Sequence, residues 1–397
     1  MSPQPPSPPQ SLRALVARFD PSAFDAPRGR ARVRLAVAGE GAWDVVIEGE
    51  QARLGAASPR EPDALLAADA ATWDSVGADL RGGMDAFRAG RLSVRRNLHL
   101  GVGLLAATSG LTGPGRLAFH RVGTRVGDIS LLEAGTGDPV LMLHGLGATK
   151  ASFLTSVAAL AQTHRAIALD LPGFGDSAKP IRAPYNARYF ARAVVALLDA
   201  LGIERAHLMG NSMGGRAALE TGLRAPERVA RLALLTPALP WRGERTWAAY
   251  LRVLRPELGL IQPVSRRAVE SVVRRLIPGA NRGWAAAGVD EFLRSYLSAR
   301  GRAAFYAALR NIYLDRPDGV DGLWARLPEL EPEALFVWGR RDTLVPARFA
   351  GPVTDALPNA RHLVLDCGHV PQLEAPAQTH LAVREFLLGR DKRVRAA

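Results

Sequence analysis

The sequence predicts an α/β fold, in which a doubly wound, mostly parallel sheet with a helical cap follows a smaller α+β domain. Two observations support this fold class. From residue 140 onward, short continuous apolar runs alternate with amphipathic helical segments, and such runs are typical of parallel strands that are buried on both faces. Before residue 108, apolar residues alternate with polar ones, which is typical of strands with one exposed face.

The strands of the larger sheet are predicted from its buried runs. These runs cover residues 140–143, 166–169, 206–209, 232–235, 334–337 and 363–365. Two hairpin strands are expected before them, at about 118–125 and 128–134. Residues 240–330 interrupt the alternation with a long helical pattern, and an insertion of this size at one loop predicts a helical cap over the carboxyl edge of the sheet. The core of this domain is therefore expected at 117–239 and 331–390.

A separate α+β domain is predicted at 12–108. Strands are expected at 33–37 and 43–47, and the Gly39-Glu40-Gly41 turn between them indicates a hairpin. Asp69 is an expected N-cap for the helix that follows it. Helices are also expected around Met84 and Phe87, and over residues 98–107.

Two stretches of this region resemble the sterol carrier protein 2 (SCP2) family. They are Asp69-Ala70-Ala71-Thr72-Trp73 and Ala86-Phe87-Arg88-Ala89-Gly90-Arg91-Leu92-Ser93-Val94. The resemblance implies a twisted sheet that packs with helices around an apolar tunnel for lipids or acyl chains. The alternative is a docking or scaffold domain whose apolar residues fill its own core.

Composition restricts the class of protein. Hydrophobic residues make up 48% and charged residues 22%, which is ordinary for a globular chain. Residues 1–11 are rich in proline and predict a disordered tail without a signal peptide, and the glycines of 109–116 predict a linker. The single cysteine, Cys367, excludes an internal disulfide and favours a reducing cytoplasm.

The net charge of +13 raises the question of anionic partners. The arginines are spread along the chain in pairs such as Arg266-Arg267 and Arg274-Arg275, with no long basic block and no nucleic-acid motif. We therefore expect no nucleic-acid binding, and at most peripheral contact with an anionic membrane. No apolar run approaches the roughly 20 residues that a membrane-spanning helix needs.

The stretch Gly210-Asn211-Ser212-Met213-Gly214-Gly215 lies between a predicted buried strand and a predicted helix. A serine between glycines at such a junction is the arrangement of a nucleophile elbow. The sharp turn exposes the hydroxyl at the N-terminus of a helix, where the helix dipole favours negative charge. Ser212 is therefore the candidate nucleophile.

A serine hydroxyl needs a base that accepts its proton and an acid that orients the base. His369 follows the last buried strand, where a loop can bring its imidazole over the elbow, and it is the candidate base. Asp342 follows the preceding strand and is the candidate acid, with Asp366 as the competing candidate. Six other histidines fall in helices, on strands or sheet edges, or in the other domain: His99, His120, His164, His207, His362 and His380.

A tetrahedral intermediate also requires backbone N–H donors for its oxyanion. Met213 follows the nucleophile and is expected to supply one donor. Leu146, in the loop after the strand at 140–143, is expected to supply the other. His144 is expected to shape this loop rather than to act as a base.

Five ordered motifs together resemble the α/β-hydrolase family over about residues 116 to 390. They are His144-Gly145-Leu146-Gly147, Asp170-Leu171-Pro172-Gly173-Phe174-Gly175-Asp176-Ser177, the elbow, Trp338-Gly339-Arg340-Arg341-Asp342 and Gly368-His369. The resemblance implies hydrolysis through Ser212, His369 and Asp342, without a metal or organic cofactor. A serine at the elbow disfavours the members that form esters on an aspartate.

Three functions remain open at this point. The leading hypothesis is a carboxylesterase- or lipase-like serine hydrolase that cleaves hydrophobic or lipid-like carboxylic esters through an acyl-enzyme. The elbow and the Asp-Leu-Pro-Gly-Phe-Gly stretch also look like those of the carbon–carbon bond hydrolases of aromatic ring degradation. The third hypothesis is a lipid carrier in which the hydrolase domain only binds.

Overall fold

The structure, a computed structural model, describes residues 7–78, 86–87, 89–241, 248–276, 283–315, 319 and 322–390. The chain forms two compact units. The first comprises Met1–Arg121 and Val264–Arg294, and the second comprises Val122–Pro263 and Ser295–Ala397. The units therefore divide the chain at points other than the predicted domain boundaries, because part of the 240–330 insertion clusters with the N-terminal region.

The first unit is built on a five-stranded sheet with the order β3-β2-β1-β4-β5. Its strands are β1 Arg30–Val37, β2 Gly41–Glu48, β3 Gln51–Ala56, β4 Ala64–Ala68 and β5 Ser93–Arg95. Strand β1 is antiparallel to β2 and parallel to β4. The helices of this unit for which the structure describes both ends are Gln10–Ala17, the 3-10 turn Pro21–Ala23, Ala70–Ala78, Leu98–Ala107, Arg266–Leu276 and most of Gly283–Tyr296.

Local sequence signals predict several of these elements. The β1–β2 turn has Gly39 at φ 80°, a left-handed conformation that glycine adopts without strain. Asp69 accepts a hydrogen bond from the Thr72 amide at 2.7 Å and caps the next helix, as expected. Strand β3 is missed because its Gln-Ala-Arg-Leu-Gly-Ala sequence lacks an apolar alternation. The helix expected around Met84 lies largely outside the described residues.

Two buried acids join the inserted helix Gly283–Tyr296 to the rest of the first unit. Asp290 accepts hydrogen bonds from Arg95 Nε at 2.8 Å and from the Arg96 amide at 2.9 Å. Glu291 accepts one at 2.7 Å from the Leu98 amide, at a helix N-terminus whose dipole favours a carboxylate. The partners are nearly 200 residues apart in the chain, so no local pattern predicts their association.

An eight-stranded sheet with the order β13-β12-β11-β10-β8-β9-β7-β6 contains the strands of the second unit. The strands are β6 Ala118–Val122, which carries the boundary between the units, β7 Ile129–Ala134, β8 Pro139–Leu143, β9 Arg165–Leu169, β10 Ala206–Asn211, β11 Val229–Leu235, β12 Glu333–Gly339 and β13 Arg361–Leu365. Strands β8 to β13 are parallel and coincide with the six predicted buried runs, whereas β7 is antiparallel to β9. The mostly parallel sheet is confirmed.

The described part of the second unit contains ten helices and four 3-10 turns. They are Leu154–Leu160, Ala187–Ala200, Met213–Arg224, Ala248–Val253, Leu258–Ile261, Ala299–Tyr313, Leu323–Arg326, Ala350–Ala356, Pro371–Glu374 and Pro376–Leu387, with 3-10 turns at Lys150–Phe153, Pro226–Arg228, Leu327–Glu329 and Ala347–Phe349. No described helix is long and apolar enough to cross a membrane. Inserted helix Ala299–Tyr313 contributes Ala304, Ala308 and Ile312 to the main core cluster. This part of the insertion is thus integral to the second unit.

An ionic network holds the helix Met213–Arg224 against its neighbours. Buried Glu220 accepts hydrogen bonds from Arg216 at 2.9 Å, from Arg326 at 2.9 Å and from Arg224. Burial opposes the ionisation of Glu220, but the hydrogen bond from Arg326 and the charge of Arg216 outweigh it and lower its pKa to about 2. Arg216 also donates to Asp315 at 2.6 Å. The helix that follows Ser212 is thereby bonded to Asp315 and Arg326, in the last part of the 240–330 insertion.

Candidate active site

Ser212 lies at the junction of β10 and the helix Met213–Arg224, in a strained left-handed conformation with φ 53° and ψ −115°. Such a conformation costs a non-glycine residue about 1–3 kcal/mol. Its amide donates to the Leu235 carbonyl at 3.0 Å, which fixes the turn against β11. A Cβ atom on Gly214 would lie 2.0 Å from the Leu143 carbonyl oxygen. The helix can therefore pass this close to β8 only because residue 214 is glycine.

The side chains of Ser212, His369 and Asp342 form one hydrogen-bonded chain. His369 Nε2 lies 2.9 Å from Ser212 Oγ, and His369 Nδ1 lies 2.7 Å from Asp342 Oδ2. Ser212 and Asp342 are buried, while the imidazole is partly exposed. The parallel strands β10 and β12 and the loop after β13 bring these residues to the same edge of the sheet. The structure thus brings together the three side chains that the sequence predicts to act together.

The surroundings of Asp342 determine which ring nitrogen of His369 carries the proton. Asp342 Oδ1 accepts hydrogen bonds from the amides of Leu344 at 2.8 Å and Val345 at 2.9 Å. An ionised carboxylate with these partners can only accept, so the Nδ1 atom of His369 must donate to it. In the neutral ring, Nε2 is then an acceptor for the hydroxyl of Ser212. This tautomer is the one that a general base requires.

The competing acid, Asp366, has a different partner. Its side chain is largely exposed and lies 3.4 Å from Arg341 Nε. The remaining histidines have other partners or surroundings. For example, His380 Nε2 lies 2.9 Å from Ser156 Oγ, and His362 Nδ1 accepts from Trp338 Nε1 at 3.0 Å. Burial lowers the pKa of His380 to about 4, so this ring is neutral at neutral pH.

Three side chains that the sequence analysis did not single out hold the backbone around His369. The amides on either side of it, those of Gly368 and Val370, donate to the Glu374 carboxylate at 2.7 and 2.9 Å. Its carbonyl accepts from Thr236 Oγ1 at 2.8 Å and from Asn211 Nδ2 at 3.1 Å. Asn211 is within the elbow stretch, and Glu374 is the last residue of a Gly-His-Val-Pro-Gln-Leu-Glu sequence. The sequence therefore shows both residues close to predicted site residues, but it does not indicate their contacts with the His369 backbone.

The loop after β8 lies beside the elbow. A Cβ atom on Gly145 would lie 3.4 Å from Ser212 Cβ, so the backbone of this loop is close to the serine. The Gly145 carbonyl lies 2.8 Å from His144 Nδ1 and accepts from the Ala148 amide at 3.1 Å. Because a trans peptide directs its N–H opposite to its C=O, these bonds fix the direction of the Leu146 amide.

His144 itself is fully buried and bonded at both ring nitrogens. Its Nε2 atom accepts from the Leu171 amide at 3.0 Å, so its Nδ1 atom donates to the Gly145 carbonyl. Burial lowers the pKa of His144, which keeps the ring neutral. These contacts agree with the expectation that His144 shapes the loop.

The Asp-Leu-Pro-Gly-Phe-Gly-Asp-Ser stretch forms a second rigid loop at this edge. Fully buried Asp170 accepts from Lys150 Nζ at 2.6 Å and from the amide of Asp176 at 2.8 Å. Burial raises the pKa of this carboxyl, but the Lys150 charge outweighs that effect and the pKa is lowered to about 2. A Cβ atom on Gly175 would lie 2.1 Å from the Asp170 carboxylate, which explains the glycine.

The described residues contain no group of three or more His, Cys, Asp or Glu side chains that could hold a metal ion. The chemistry available to this arrangement is that of a hydroxyl, an imidazole, a carboxylate and oriented amides. These groups suit nucleophilic attack on a polarised carbonyl carbon.

Comparison with known proteins identifies the family. A family model described as the alpha/beta hydrolase fold matches residues 138–263. The 2-hydroxymuconate semialdehyde hydrolase of Pseudomonas sp. (strain CF600) is 31% identical over 277 residues, which cover 66% of this chain and 91% of that protein. This chain belongs to the α/β-hydrolase family. The resemblance predicted from the five motifs is therefore confirmed, whereas the resemblance of residues 12–108 to SCP2 stays a prediction.

Two other similarities show the range of this family. The dihydrolipoyllysine-residue acetyltransferase component of the acetoin cleaving system of Pseudomonas putida is 34% identical over 254 residues, 63% of this chain and 64% of that protein. The crystal structure of a bacterial membrane phospholipase A matches with a TM-score of 0.55 and 30% identity, over 69% of this chain and 86% of that one. The α/β-hydrolase relatives thus differ in the reactions that their names state.

Substitution of Glu374 tests whether its contacts with the backbone position His369 in this α/β hydrolase. Glu374→Ala removes the acceptor for the two amides that flank His369, so the imidazole should lose its fixed position over Ser212. We expect labelling of Ser212 by a fluorophosphonate to slow by about 10- to 100-fold, with a melting temperature within a few degrees of the parent.

Two further variants make this measurement specific. Glu374→Gln keeps one carbonyl oxygen as an acceptor and should recover part of the labelling rate. Glu331→Gln changes an exposed glutamate just before β12 and should label at the parental rate. Parental labelling by Glu374→Ala would contradict a positioning role for this residue.

Proposed function

We propose that this α/β hydrolase cleaves carboxylic esters of hydrophobic or lipid-like compounds, with Ser212 as the nucleophile, His369 as the base and Asp342 as the acid that orients it. The observation that carries the proposal is the continuous hydrogen-bonded chain from Ser212 Oγ through the imidazole to Asp342. The tautomer that Asp342 requires leaves Nε2 of His369 ready to accept the serine proton.

The proposed reaction has two halves. Ser212 Oγ attacks the ester carbonyl carbon while its proton moves to His369 Nε2. The tetrahedral intermediate collapses, the C–O bond to the alcohol breaks, and His369 returns the proton to the departing alkoxide. A water molecule then attacks the acyl-enzyme with the same base, which releases the carboxylic acid and restores the serine.

The proposed oxyanion donors are the backbone amides of Met213 and Leu146. The Met213 amide is the first of the helix after the elbow, and helix N-termini carry unpaired N–H groups and partial positive charge. The Leu146 amide belongs to the peptide whose carbonyl is held by His144 and Ala148. Donors fixed before the reaction stabilise the developing negative charge without reorganisation.

The preference for hydrophobic esters is supported by exposed apolar side chains near this edge of the sheet. Ile181, Leu344 and Leu373 are all exposed. They lie in the segments that follow β9, β12 and β13, whose carboxyl ends share the edge that carries Ser212. Apolar side chains at this edge favour an apolar substrate over a strongly hydrated one.

Substitution of the nucleophile tests the proposal directly. Ser212→Ala should abolish fluorophosphonate labelling and should lower p-nitrophenyl ester turnover by at least about 1,000-fold, because no other group can form the acyl-enzyme. Ser75→Ala, at an exposed serine of the first unit, is the matched control and should retain full turnover. Turnover by Ser212→Ala at the parental rate would refute the assignment.

A second candidate function is the hydrolysis of a carbon–carbon bond in a vinylogous diketone. It is favoured by the 31% identity to a 2-hydroxymuconate semialdehyde hydrolase over 91% of that protein. The same three side chains would serve both reactions, and only the bond beside the carbonyl differs.

A substrate panel distinguishes the two candidates. An esterase should show a higher kcat/KM on p-nitrophenyl and glyceryl esters than on dienoate ring-fission products. We expect a difference of about 100-fold or more, since a site shaped for one leaving group stabilises the other transition state poorly. The reverse order, with Ser212→Ala inactive on both classes, would assign the carbon–carbon reaction to the same site.

For residues 12–108, we propose an SCP2-like domain that binds lipids or acyl chains. The support is the sequence resemblance, together with a helix, Leu98–Ala107, whose ten residues are all buried and mostly apolar. Organic extraction of the purified full-length chain should release bound lipid that mass spectrometry detects. Extracts without lipid, from protein expressed and purified in the presence of fatty acid, would favour the docking-domain alternative.

A further inference from the structure

Residues 251–263 of the insertion, here termed the outer segment, are held through their backbone. Arg302, which is buried in the helix Ala299–Tyr313, donates from Nε to the Gly259 carbonyl at 3.0 Å and from Nη2 to the Gln262 carbonyl at 3.1 Å. A Cβ atom on Gly259 would lie 2.5 Å from the Ala303 amide nitrogen. The backbone of the outer segment therefore packs directly on this helix.

Further bonds hold several backbone groups and the Gln262 side chain of the outer segment. The Leu254 carbonyl accepts from Arg310 Nη1 at 3.0 Å, and Gln262 Oε1 accepts from Tyr306 OH at 2.7 Å. Within the segment, the amides of Leu258, Gly259, Leu260 and Gln262 donate to carbonyls three or four residues earlier. Because many of its carbonyls are satisfied from the protein side, the segment can lose water on its other side at a reduced cost.

The apolar side chains of the outer segment are directed to solvent. Val253 is 74% exposed, Ile261 77% and Leu258 44%. Single exposed apolar residues need no explanation, but three within nine residues of one segment do. The charged side chain of Arg302 is buried, whereas the aliphatic side chains of the outer segment are exposed. This is the reverse of the usual distribution of charged and apolar side chains.

The positions of these residues along the chain relate the outer segment to the edge of the sheet that carries Ser212. Nine large hydrophobic residues are exposed among those that the structure describes. Six of them lie in segments that follow the carboxyl ends of parallel strands along the chain: Ile181, Val253, Leu258, Ile261, Leu344 and Leu373. The insertion follows β11, whose carboxyl end shares this edge with Ser212.

The charge near the outer segment selects among possible partners. The outer segment itself contains two arginines and one glutamate, and the whole chain carries a net charge of +13. Arg252 and Arg255, on either side of Val253, are exposed. A second copy of this chain would bring like charges together, whereas a surface that is both apolar and anionic would match the segment.

We propose that the outer segment binds the interface of an anionic lipid bilayer. Val253, Leu258 and Ile261 enter the boundary between headgroups and acyl chains, and the neighbouring arginines contact lipid phosphates. This binding site is distinct from the site at Ser212 and does not depend on which bond that site cleaves. It would bring the carboxyl edge of the sheet, where Ser212 lies, towards the membrane.

Flotation with large unilamellar vesicles tests the proposal in the full-length chain that carries Ser212→Ala, so that the lipids stay intact. We expect the protein to float with vesicles of phosphatidylcholine containing 30% phosphatidylglycerol, and to bind pure phosphatidylcholine vesicles at least about tenfold more weakly. Binding should weaken in 1 M salt, where the Debye length falls to about 3 Å.

Paired substitutions assign the binding to the outer segment. The double variant Val253→Ser/Ile261→Ser should lower the partition coefficient by about tenfold or more, because two aliphatic side chains no longer leave water. The matched control Val364→Ser/Leu381→Ser changes two exposed apolar residues on β13 and on the helix Pro376–Leu387, and should bind as the parent does. Equal near-ultraviolet circular dichroism in all variants verifies their folding.

Three results would overturn the proposal. The first is a failure of the parent to float with anionic vesicles. The second is equal binding by Val253→Ser/Ile261→Ser and the parent. The third is a dimer of the parent, measured by light scattering, that the outer-segment variant dissociates, which would assign this surface to a second copy of the chain.

Discussion

The close approach of the helix Met213–Arg224 to strand β8 is the constraint on which the rest of the site depends. Gly214 lies against the Leu143 carbonyl so closely that any side chain there would displace the helix. Because the helix begins this near the sheet, the chain must turn sharply at Ser212, and the turn leaves the serine with a positive φ. The position of the hydroxyl beside His369 is thus a consequence of packing two residues away.

A strained turn of this kind persists only when its surroundings fix it. On one side, the Ser212 amide and the Asn211 side chain both donate to the Leu235 carbonyl at the end of β11. On the other, Glu220 and its three arginine partners fasten the helix after the turn. Buried ion pairs add little net stability, but loss of one partner costs about 3–5 kcal/mol, so the network opposes any shift of the helix. Rigidity around Ser212 is therefore supplied by contacts with β11 and by the ionic network of Glu220.

Whether the sequence predicts a feature depends on whether a local pattern of residues marks that feature. The six parallel strands were predictable because each is a short apolar run, and Ser212, Asp342 and His369 follow from the positions of three strand ends. Glu374 was not predictable as a partner of the His369 loop, because an acid on a helix has many alternative roles. Strand β3 was missed because its side chains are mostly exposed and leave no apolar pattern.

The association of Asp290 and Glu291 with residues 95–98 crosses the domain boundaries that the sequence predicts. Both carboxylates are buried and bond to groups nearly 200 residues earlier. Closing a loop of that length costs entropy that grows only slowly with length, and folding of the intervening residues 122–263 into the second unit reduces the cost further. Two charge-assisted contacts can therefore hold the inserted helix within the first unit. A boundary at residue 108 would separate two buried acids from their donors, so residues 264–294 contribute contacts to the unit that contains the proposed SCP2-like domain.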